Sequence, residues 1–403
     1  MTENLPPSTL PLTGVRVLDL SRVLAGPYCC MLLSMLGAEV IKVEDHHGDE
    51  SRTWPPMGDH FSGSFLGLNL NKRGIVVDLK TDEGAALVKA LAKQSDVLVE
   101  NFKTGTMERF GLDFDALSAE NPRLVYTSVS AFGRKGPKAS DPGYEALVQA
   151  YSGVMHMTGH PDGDPARCGV SFLDMATGIS SAFATVSALY RREHTGRGGK
   201  VEASLLQTAL GLMSHQVSNF FQHGTVPGRI GTAHPSVVPY QAFPTANGNI
   251  FIASANQNLW ERLSRAMGLE HLLEDPRFAN NPARVEHRDA LVAILQDTLT
   301  GRTTEDWIPD LMAAGVPCAP VNDLRQVLED GQVDAIGALA SLSDGKNGDL
   351  HFTNLPFFLD GEEGRVEQRA PRLGEHTRGV LADLGYDESR IEALISSGVV
   401  RCE

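Results

Sequence analysis

The sequence predicts an α/β fold with a largely parallel sheet, followed by a smaller α+β domain. The first observation behind this prediction is that short β-rich runs alternate with helical segments through the first half of the chain. Strands separated by helices indicate βαβ units, in which consecutive strands pair in parallel. The second observation is a change of composition near residue 224, after which the pair Asn247-Gly248 signals a hairpin turn.

The predicted strands of the first half are short apolar runs that end at polar or turn-forming residues. They cover residues 15–20, 39–43, 75–79, 96–99, 124–129 and 200–204. The predicted helices between them cover residues 28–36, 82–93, 172–192 and 205–223. Thr81 is a candidate N-cap for the second helix, because its hydroxyl can accept a hydrogen bond from the first turn. The third helix is rich in small residues, which allow another backbone to approach closely.

The second half of the chain predicts a separate, smaller domain. Residues 224–239 carry Gly, Pro and His and are predicted to be a linker. A hairpin is expected from residues 240–243 and 249–253. Helices are expected near residues 259–267, 287–299 and 304–314, with a last helical segment near residues 377–384.

Composition narrows the class of protein. A formal net charge of −15 is opposite to what nucleic-acid-binding surfaces need, so we expect no nucleic-acid partner. No apolar run approaches a bilayer span and no secretory signal is recognised, so we expect a cytoplasmic protein without a membrane partner. The 5 cysteines form no CxxC pair, which favours free thiols. The scattered histidines predict no metal site, and the dinucleotide-binding, P-loop and zinc-protease motifs are absent.

Two segments place polar or basic residues beside predicted strands of the sheet. Residues 18–27 leave the first strand and enter a helix, and the carboxyl ends of parallel strands usually bind ligands. The run Asn71-Lys72-Arg73 stands just before another strand, and paired cations suit phosphate groups. Each segment alone is also compatible with an ordinary turn.

A third segment follows the predicted strand 96–99. Asn101 and Phe102 stand at its end, where an amide and an aromatic ring suit a purine base. Arg109 follows a short helical distance later and is within reach of a phosphate group. Taken alone, this signal is weak.

A basic loop and one acidic residue complete the set. Arg134, Lys135 and Lys138 stand among glycines and prolines, so a local site for anions exists despite the acidic total. Asp174 lies within the apolar stretch 170–179. A carboxylate in such surroundings is costly unless it is hydrogen-bonded or paired. Asp174 is therefore either a structural cap or a functional carboxylate.

Together these segments resemble the class III coenzyme A transferases, the family of formyl-CoA transferase and carnitine CoA-transferase. The resemblance runs from about residue 12 to residue 377. No single string is decisive, but their order and spacing along one chain are specific. The matching strings occupy residues 14–19, 25–27, 36–44, 71–73, 99–102, 133 with 136–137, 195–198, 315–317 with 320–321, and 373–377.

The resemblance implies a CoA-transferase of the EC 2.8.3 type that acts on an acyl-CoA and a carboxylate. It implies that Asp174 is the covalent nucleophile, supported by Tyr144 and Glu145. CoA thioesters are then substrates, and no cofactor is bound permanently. The expected CoA-binding residues, from the resemblance and from the basic segments, are Val23, Leu24, Ala25, Asn71, Lys72, Arg73, Asn101, Phe102, Arg109, Lys135 and Lys138.

The resemblance also implies an architecture. The family has a large doubly wound, Rossmann-like domain built from both chain ends, plus a smaller α+β domain. We therefore expect residues 1–223 in the large domain, 224–325 in the small domain with its linkers, and 326–403 returning to the large domain. Each subunit is expected to form a ring, with two rings interlocked in a homodimer.

Two alternative functions stay open. The family contains α-methylacyl-CoA racemases, which pair a histidine with an aspartate about thirty residues later. Here that position is Tyr144, a poor match to an imidazole that titrates near neutral pH. The second alternative is a non-catalytic protein that binds CoA thioesters.

Because the chain differs from formyl-CoA transferase at three places, we do not expect an oxalate or formyl substrate. Leu24 replaces a glutamine, and Asp45 stands where a charged CoA contact is expected. Residues 255–258 replace a glycine-rich loop, and the backbone N–H groups of residues 256–258 are candidate oxyanion donors. Residues 231–243 are similar to dicarboxylate-specific members, so succinyl-CoA is the expected donor.

Overall fold

The structure, a computed structural model, describes residues 10–58, 62–343 and 349–403. The chain divides into two compact units. The small domain was expected to begin at residue 224 and the return to the large domain at residue 326. In the structure these boundaries lie at residues 226 and 334. Residues 155–167 join the second unit, although they were expected in the large domain. The first unit consists of Met1–Val154, Cys168–Thr225 and Asp334–Glu403, and the second of Met155–Arg167 and Val226–Val333.

The strands and helices follow in chain order. The strands are β1 (Arg16–Asp19), β2 (Glu39–Glu44), β3 (Lys72–Val77), β4 (Val97–Glu100), β5 (Val125–Ser130), β6 (Gly199–Ser204), β7 (Tyr240–Pro244), β8 (Asn249–Ala253), β9 (Cys318–Pro320), β10 (Leu339–Ser343), β11 (Asp349–Thr353) and β12 (Val400–Arg401). The α-helices are α1 (Ala25–Met35), α2 (Gly63–Leu66), α3 (Asp82–Lys93), α4 (Thr106–Arg109), α5 (Phe114–Glu120), α6 (Glu145–Ser152), α7 (Val154–Met157), α8 (Phe172–Thr195), α9 (Leu205–Leu212), α10 (Ser214–His223), α11 (Gln257–Ala266), α12 (Asn281–Glu286), α13 (Arg288–Leu299), α14 (Thr304–Ala313), α15 (Leu324–Leu328), α16 (Gly331–Ala335), α17 (Thr377–Asp383) and α18 (Glu388–Ser396).

A seven-stranded sheet forms the middle of the first unit, in the order β12-β3-β2-β1-β4-β5-β6. Its strands pair in parallel except β12, which runs antiparallel to β3. The parallel sheet predicted from the sequence is confirmed. The strand order reverses at β1, since β2 pairs with one side of β1 and β4 with the other. Open α/β sheets bind ligands beyond the carboxyl ends of their strands at such a reversal.

Helices cover both faces of this sheet. Val17 of β1 packs into a core that includes residues of α1 and α8, whereas Leu18 packs into a core that includes residues of α3, α17 and α18. Successive strand residues enter opposite cores because side chains alternate across a pleated strand. Strands buried on both faces need nearly continuous apolar runs, which is the pattern from which they were predicted.

Helix α8 corrects one expectation from composition. The helix spans 24 residues and is long and apolar enough to cross a membrane, although no such run was expected from the sequence. Half of the apolar stretch is buried inside the protein, and α8 packs against α1, β5 and β6. A core helix of a globular unit has this same combination of length, composition and burial. Helix α8 is therefore a packed element of the first unit.

The second unit contains the predicted hairpin and its helices. Strands β7 and β8 are antiparallel, and Thr245 donates its backbone N–H to the Gly248 carbonyl oxygen across the turn. Strand β9 adds to β8 and completes a three-stranded sheet. Trp260 of α11 and Phe278 are fully buried in the core of this unit. The second domain inferred from the change of composition thus has a core of its own.

Several elements of the first unit were not predicted. The expected helix 205–223 is interrupted at Met213 into α9 and α10. Helix α18 and the hairpin of β10 and β11 were missed, whereas α17 was expected. Val400 of β12 pairs with Val77 of β3, so the chain end forms one edge of the large sheet.

Gly178 marks a close approach between α8 and α1, and it provides a test of that packing. A Cβ atom there would lie 2.8 Å from the Ala25 carbonyl oxygen and 3.0 Å from Tyr28 Cδ1. We expect Gly178→Ala to lower the free energy of unfolding by about 1–2 kcal/mol, because overpacking outweighs the better helix propensity of alanine. Urea unfolding followed by circular dichroism measures this change.

Gly211 of α9 provides the matched control. A Cβ atom there would meet nothing within 4 Å. Gly211→Ala should therefore raise the free energy of unfolding by about 0.5–1 kcal/mol through helix propensity alone. Stabilisation by both substitutions would contradict the close approach of α8 to α1.

Candidate active site

The loops after β1 and β4 are joined to each other at the point where the strand order reverses. The Asn101 side chain donates to the Arg22 carbonyl oxygen at 2.7 Å, and its Oδ1 accepts from the Arg22 N–H at 2.9 Å. Both backbone polar groups of Arg22 are thus held by one side chain. Asn101, predicted to bind CoA, therefore fixes the backbone of the first loop.

Lys72 ties the end of β1 to the start of α1. Its buried ammonium group donates to Asp19 Oδ2, the Pro27 carbonyl oxygen and Asn69 Oδ1, each at 2.9 Å. Burial acts to raise the pKa of Asp19, but the charges of Lys72 and Lys42 lower this pKa below its ordinary value. An ammonium group has three protons, and here protein oxygens accept all of them. The structure thus corrects the predicted CoA-binding role of Lys72, which is a buried structural cation.

Val23 adopts a left-handed backbone conformation, with φ at 72°. This conformation is rare for a β-branched residue and costs energy. The Val23 N–H lies 3.2 Å from both carboxylate oxygens of Asp49, which in turn forms a fully buried ion pair with Lys42 at 3.0 Å. Burial acts to raise the pKa of Asp49, but Lys42 and Ser51 lower it below its ordinary value. A buried charged network therefore maintains the turn that leads into α1.

Asp174 lies in the first turn of α8 and is 9% exposed. The N-terminus of a helix carries a partial positive charge, which stabilises a carboxylate in the first turn. Gly178 lies one turn further along the same face and approaches Ala25 of α1. Asp174 and Ala25 line the same cavity. The starts of two helices thus surround one carboxylate.

Glu145 links α6 to the start of α8. It is buried, and its Oε1 accepts from Gln149 Nε2 at 2.6 Å and from the Leu173 N–H at 3.4 Å. Leu173 precedes Asp174, so Glu145 fixes the backbone beside the predicted nucleophile. Tyr144 is 64% exposed at the cavity edge, which suits contact with a ligand better than a role in the core.

Asp174, Glu145 and Tyr144 line one cavity of about 370 Å³. Its volume falls in the range of small-molecule sites, roughly 300–1,000 Å³. Residues after β1, β4 and β5 form its walls together with the first turns of α6 and α8. The predicted site residues that line it are Val23, Leu24, Ala25, Asn101, Phe102, Tyr144, Glu145 and Asp174.

Two predicted CoA-binding residues, Asn71 and Arg73, do not line this cavity. The Asn71 side chain donates to the Arg365 carbonyl oxygen and accepts from the backbone of the C-terminal segment. Arg73 forms ion pairs with Glu39 at 2.9 Å and Asp383 at 2.7 Å. Asn71 and Arg73 therefore attach the start of β3 to the C-terminal segment, and their CoA-binding roles stay predictions.

Three further predicted cations also lie outside the wall around Asp174. Arg109 is exposed and donates to Thr106 within α4. Lys135 lines a neighbouring cavity of about 400 Å³. Lys138 pairs with Asp141 at 3.0 Å and lies over the rings of Phe132 and Tyr151, at 5.5 and 5.1 Å from their centres. Their CoA-binding roles stay predictions, and the contacts of Lys138 indicate that it also steadies the basic loop.

Arg134 lines the same cavity, and its role was not predicted from the sequence. Its guanidinium group donates to both oxygens of Glu100, to Ser128 and to the Phe102 carbonyl oxygen. Burial raises the pKa of Glu100, although Arg134 opposes this rise. Arg134 therefore attaches the basic loop to the end of β4 and shapes the cavity wall.

Arg22 is a second residue that was missed. Its guanidinium group forms an ion pair with Glu50 at 3.3 Å, and the Tyr144 hydroxyl donates to Glu50 at 3.5 Å. All three residues line the cavity that contains Asp174. A cation within the segment 18–27 was an available signal, but the segment was assigned only by its position at a strand end.

The predicted loop 255–258 belongs to the second unit. The Asn256 side chain caps α11 by accepting from the Leu259 N–H at 3.0 Å, so this loop leads directly into a helix. Gln257 accepts from Arg284 at 3.0 Å. The oxyanion-donor role of these residues stays a prediction.

Comparisons with known proteins cover nearly the whole chain. Residues 12–377 match the family model described as CoA-transferase family III. The succinate–glutarate CoA-transferase of Agrobacterium fabrum is 37% identical over 94% of this chain and 97% of its own length. The acetyl-CoA:oxalate CoA-transferase of Acetobacter aceti is 34% identical over 97% of this chain and 100% of its own. A CaiB/BaiF family protein from Brucella suis has a crystal structure that superposes with a TM-score of 0.85, at 37% identity over 94% of this chain and 100% of its own.

Proposed function

The chain belongs to CoA-transferase family III, and from that premise we propose that it moves CoA from succinyl-CoA to a carboxylic acid through a thioester on Asp174. The observation that carries the proposal is the position of this carboxylate. Asp174 is nearly buried, lies in the first turn of α8 and lines a cavity of about 370 Å³. A carboxylate in such a place can be held dry and aligned against a thioester carbon, and this alignment supplies much of the rate.

The proposed reaction has two halves. An Asp174 oxygen attacks the thioester carbonyl carbon of the donor, and CoA leaves as its thiolate while a mixed anhydride forms. The thiolate then attacks the aspartyl carbonyl carbon, which releases the donor acid as a carboxylate and leaves CoA joined to Asp174. The acceptor carboxylate attacks this thioester, and the thiolate attacks the acceptor carbon of the new anhydride. Asp174 returns as a carboxylate, so covalent catalysis divides one hard exchange into easier steps.

The surroundings of Asp174 support this course. Negative charge develops on oxygen in each tetrahedral intermediate, and helix N-termini stabilise such charge. Glu145 fixes the backbone N–H of Leu173 next to the nucleophile. We assign Glu145 and Tyr144 the roles of orienting the nucleophile and the reacting carboxylate.

The choice of succinyl-CoA rests on sequence similarity. The Agrobacterium relative is named for succinate and glutarate, and residues 231–243 are similar to dicarboxylate-specific members. The Acetobacter relative is named for acetyl-CoA and oxalate, so family membership alone leaves the acyl group open. A panel of CoA donors against mono- and dicarboxylate acceptors identifies it, and a failure of succinyl-CoA as donor would contradict our choice.

We also propose a cytoplasmic, interlocked homodimer of ring-shaped subunits. The support for association is a stripe along α8 of exposed apolar side chains at helical spacing, since such surfaces often mark interfaces. A light-scattering mass of one chain in solution would contradict the dimer. The stripe consists of Ile179, Phe183, Val186 and Tyr190, which are 48%, 75%, 36% and 69% exposed.

Trapping during turnover tests the proposed intermediate. Hydroxylamine attacks activated acyl groups, so we expect it to convert Asp174 into a hydroxamate only when an acyl-CoA is present. Peptide mass spectrometry locates the modification, and an incubation with free CoA alone is the control. Modification of a different carboxylate would reject Asp174 as the nucleophile. Deuterium exchange at the α-carbon without an acceptor acid would instead favour the racemase alternative.

A further inference from the structure

We propose that Arg22 selects dicarboxylate substrates by binding the carboxylate group that does not react. The inference rests on the proposed function and adds to it the residue that recognises the substrate class. Arg22 lines the cavity that contains Asp174, on the loop between β1 and α1. One end of a dicarboxylate acyl group then lies at Asp174 and the other at the guanidinium group.

The backbone of Arg22 is fixed, whereas its side chain has a replaceable partner. Asn101 binds both the N–H and the carbonyl oxygen of Arg22. Among the residues that the structure describes, Glu50 is the ion-pair partner of Arg22, and these side chains are 35% and 47% exposed. Exposed ion pairs contribute little to stability. A substrate carboxylate can therefore take the place of Glu50 at small cost.

The other cations of the cavity fit this role less well. Arg134 is 12% exposed and donates to Glu100, Ser128 and the Phe102 carbonyl oxygen, so its donors are already engaged. Lys103 is exposed and offers a point charge on a flexible stem. A guanidinium group binds a carboxylate through two parallel hydrogen bonds, which gives both strength and direction. Arg22 combines this chemistry with a fixed backbone.

Binding of two matched thioesters tests the proposal without turnover. Succinyl-CoA and butyryl-CoA differ in that a carboxylate of the first is a methyl group in the second. In an Asp174→Asn background, the ratio of their dissociation constants reports recognition of that carboxylate. We expect Arg22→Met to lower the preference for succinyl-CoA by about 10- to 100-fold, the value of a hydrogen bond between charged groups. Arg22→Lys should keep an intermediate preference, because lysine retains the charge without the paired geometry.

Glu50→Gln tests the exchange of partners. Removal of the competing carboxylate should raise the preference for succinyl-CoA, since Arg22 then has no ion pair to break. Lys103→Met should leave the ratio within about twofold, and so should Arg277→Met, which breaks an exposed pair with Asp275 in the second unit. Circular dichroism of each variant verifies that it is folded.

Two outcomes would overturn the proposal. The first is an unchanged ratio in Arg22→Met, including the case in which both thioesters lose affinity equally, and the second is a loss of preference in Lys103→Met instead. If Arg22→Met does not fold, an unchanged ratio in Glu50→Gln overturns it and a raised ratio supports it. The binding ratio does not depend on turnover. Failure of the unmodified chain to transfer CoA would therefore reject the proposed function while the role of Arg22 is still decided.

Discussion

Asp174→Ala should abolish CoA transfer, with kcat lowered by at least about 10⁴-fold. The substitution removes the oxygen that attacks the thioester, so neither the anhydride nor the aspartyl thioester can form. CoA thioesters should still bind, because Asn101, Lys72 and Asp49 hold the loops after β1 and β4 that line the cavity. Exchange of labelled succinate into succinyl-CoA measures kcat, and equilibrium titration measures binding.

Stability distinguishes loss of the nucleophile from loss of the fold. Asp174 lies in the first turn of α8, and loss of its interaction with the helix N-terminus should cost about 0.3–1 kcal/mol of unfolding free energy. Asp297→Asn, on an exposed position of α13, is the matched control and should keep normal turnover. Near-normal transfer by Asp174→Ala would mean that the nucleophile is elsewhere. A large loss of stability would mean that Asp174 is mainly a structural cap.

The parallel sheet could be predicted from the sequence because each of its strands is visible in a short stretch of residues. Strands buried on both faces need continuous apolar runs, and those runs stand out between helices such as α3 with its Thr81 cap. Strand β12 has 2 residues, and its position comes from pairing with β3, more than three hundred residues earlier. No local pattern encodes such a pairing. The same applies to residues 155–167, which join the second unit through contacts distant in sequence.

Three of the residues predicted for the site, Asn101, Glu145 and Asp174, line one cavity, and each lies at a strand end or a helix start. Lys72 illustrates the limit of that reasoning. A lysine beside an arginine suggests a phosphate site, but the side chain points into the sheet, where Asp19 requires a counter-charge. Sequence shows which residues carry charge, whereas only the pairing of distant strands shows which charges are already neutralised.

Lys72→Met should lower the free energy of unfolding by about 3–5 kcal/mol, the cost of removing one partner from a buried ion pair. Both side chains of the pair with Asp19 are fully buried, and the Pro27 carbonyl oxygen and Asn69 lose the same donor. Urea unfolding measures the change. Lys93→Met is the matched control, because Lys93 is 63% exposed and lies 4.0 Å from Glu120, so it should cost less than about 1 kcal/mol. Equal stability of the two variants would leave Lys72 available for another role, such as binding a phosphate.

The loss of stability in Lys72→Met should also depend on pH. Asp19 has a pKa below its ordinary value of 3.8 in the folded protein, so its pairing stabilises the fold above that pH and is lost as the pH falls through the folded pKa. In Lys72→Met the buried Asp19 has lost its nearest positive charge, and burial then favours its protonated form. As the pH falls, the unmodified chain therefore loses the stabilisation that its ion pair provides. The variant instead gains stability, because its buried Asp19 becomes protonated. The difference between their free energies of unfolding should therefore shrink as the pH falls towards about 4 and below it. A difference that stays constant or grows as the pH falls would show that Asp19 is not the partner on which the stabilisation by Lys72 depends.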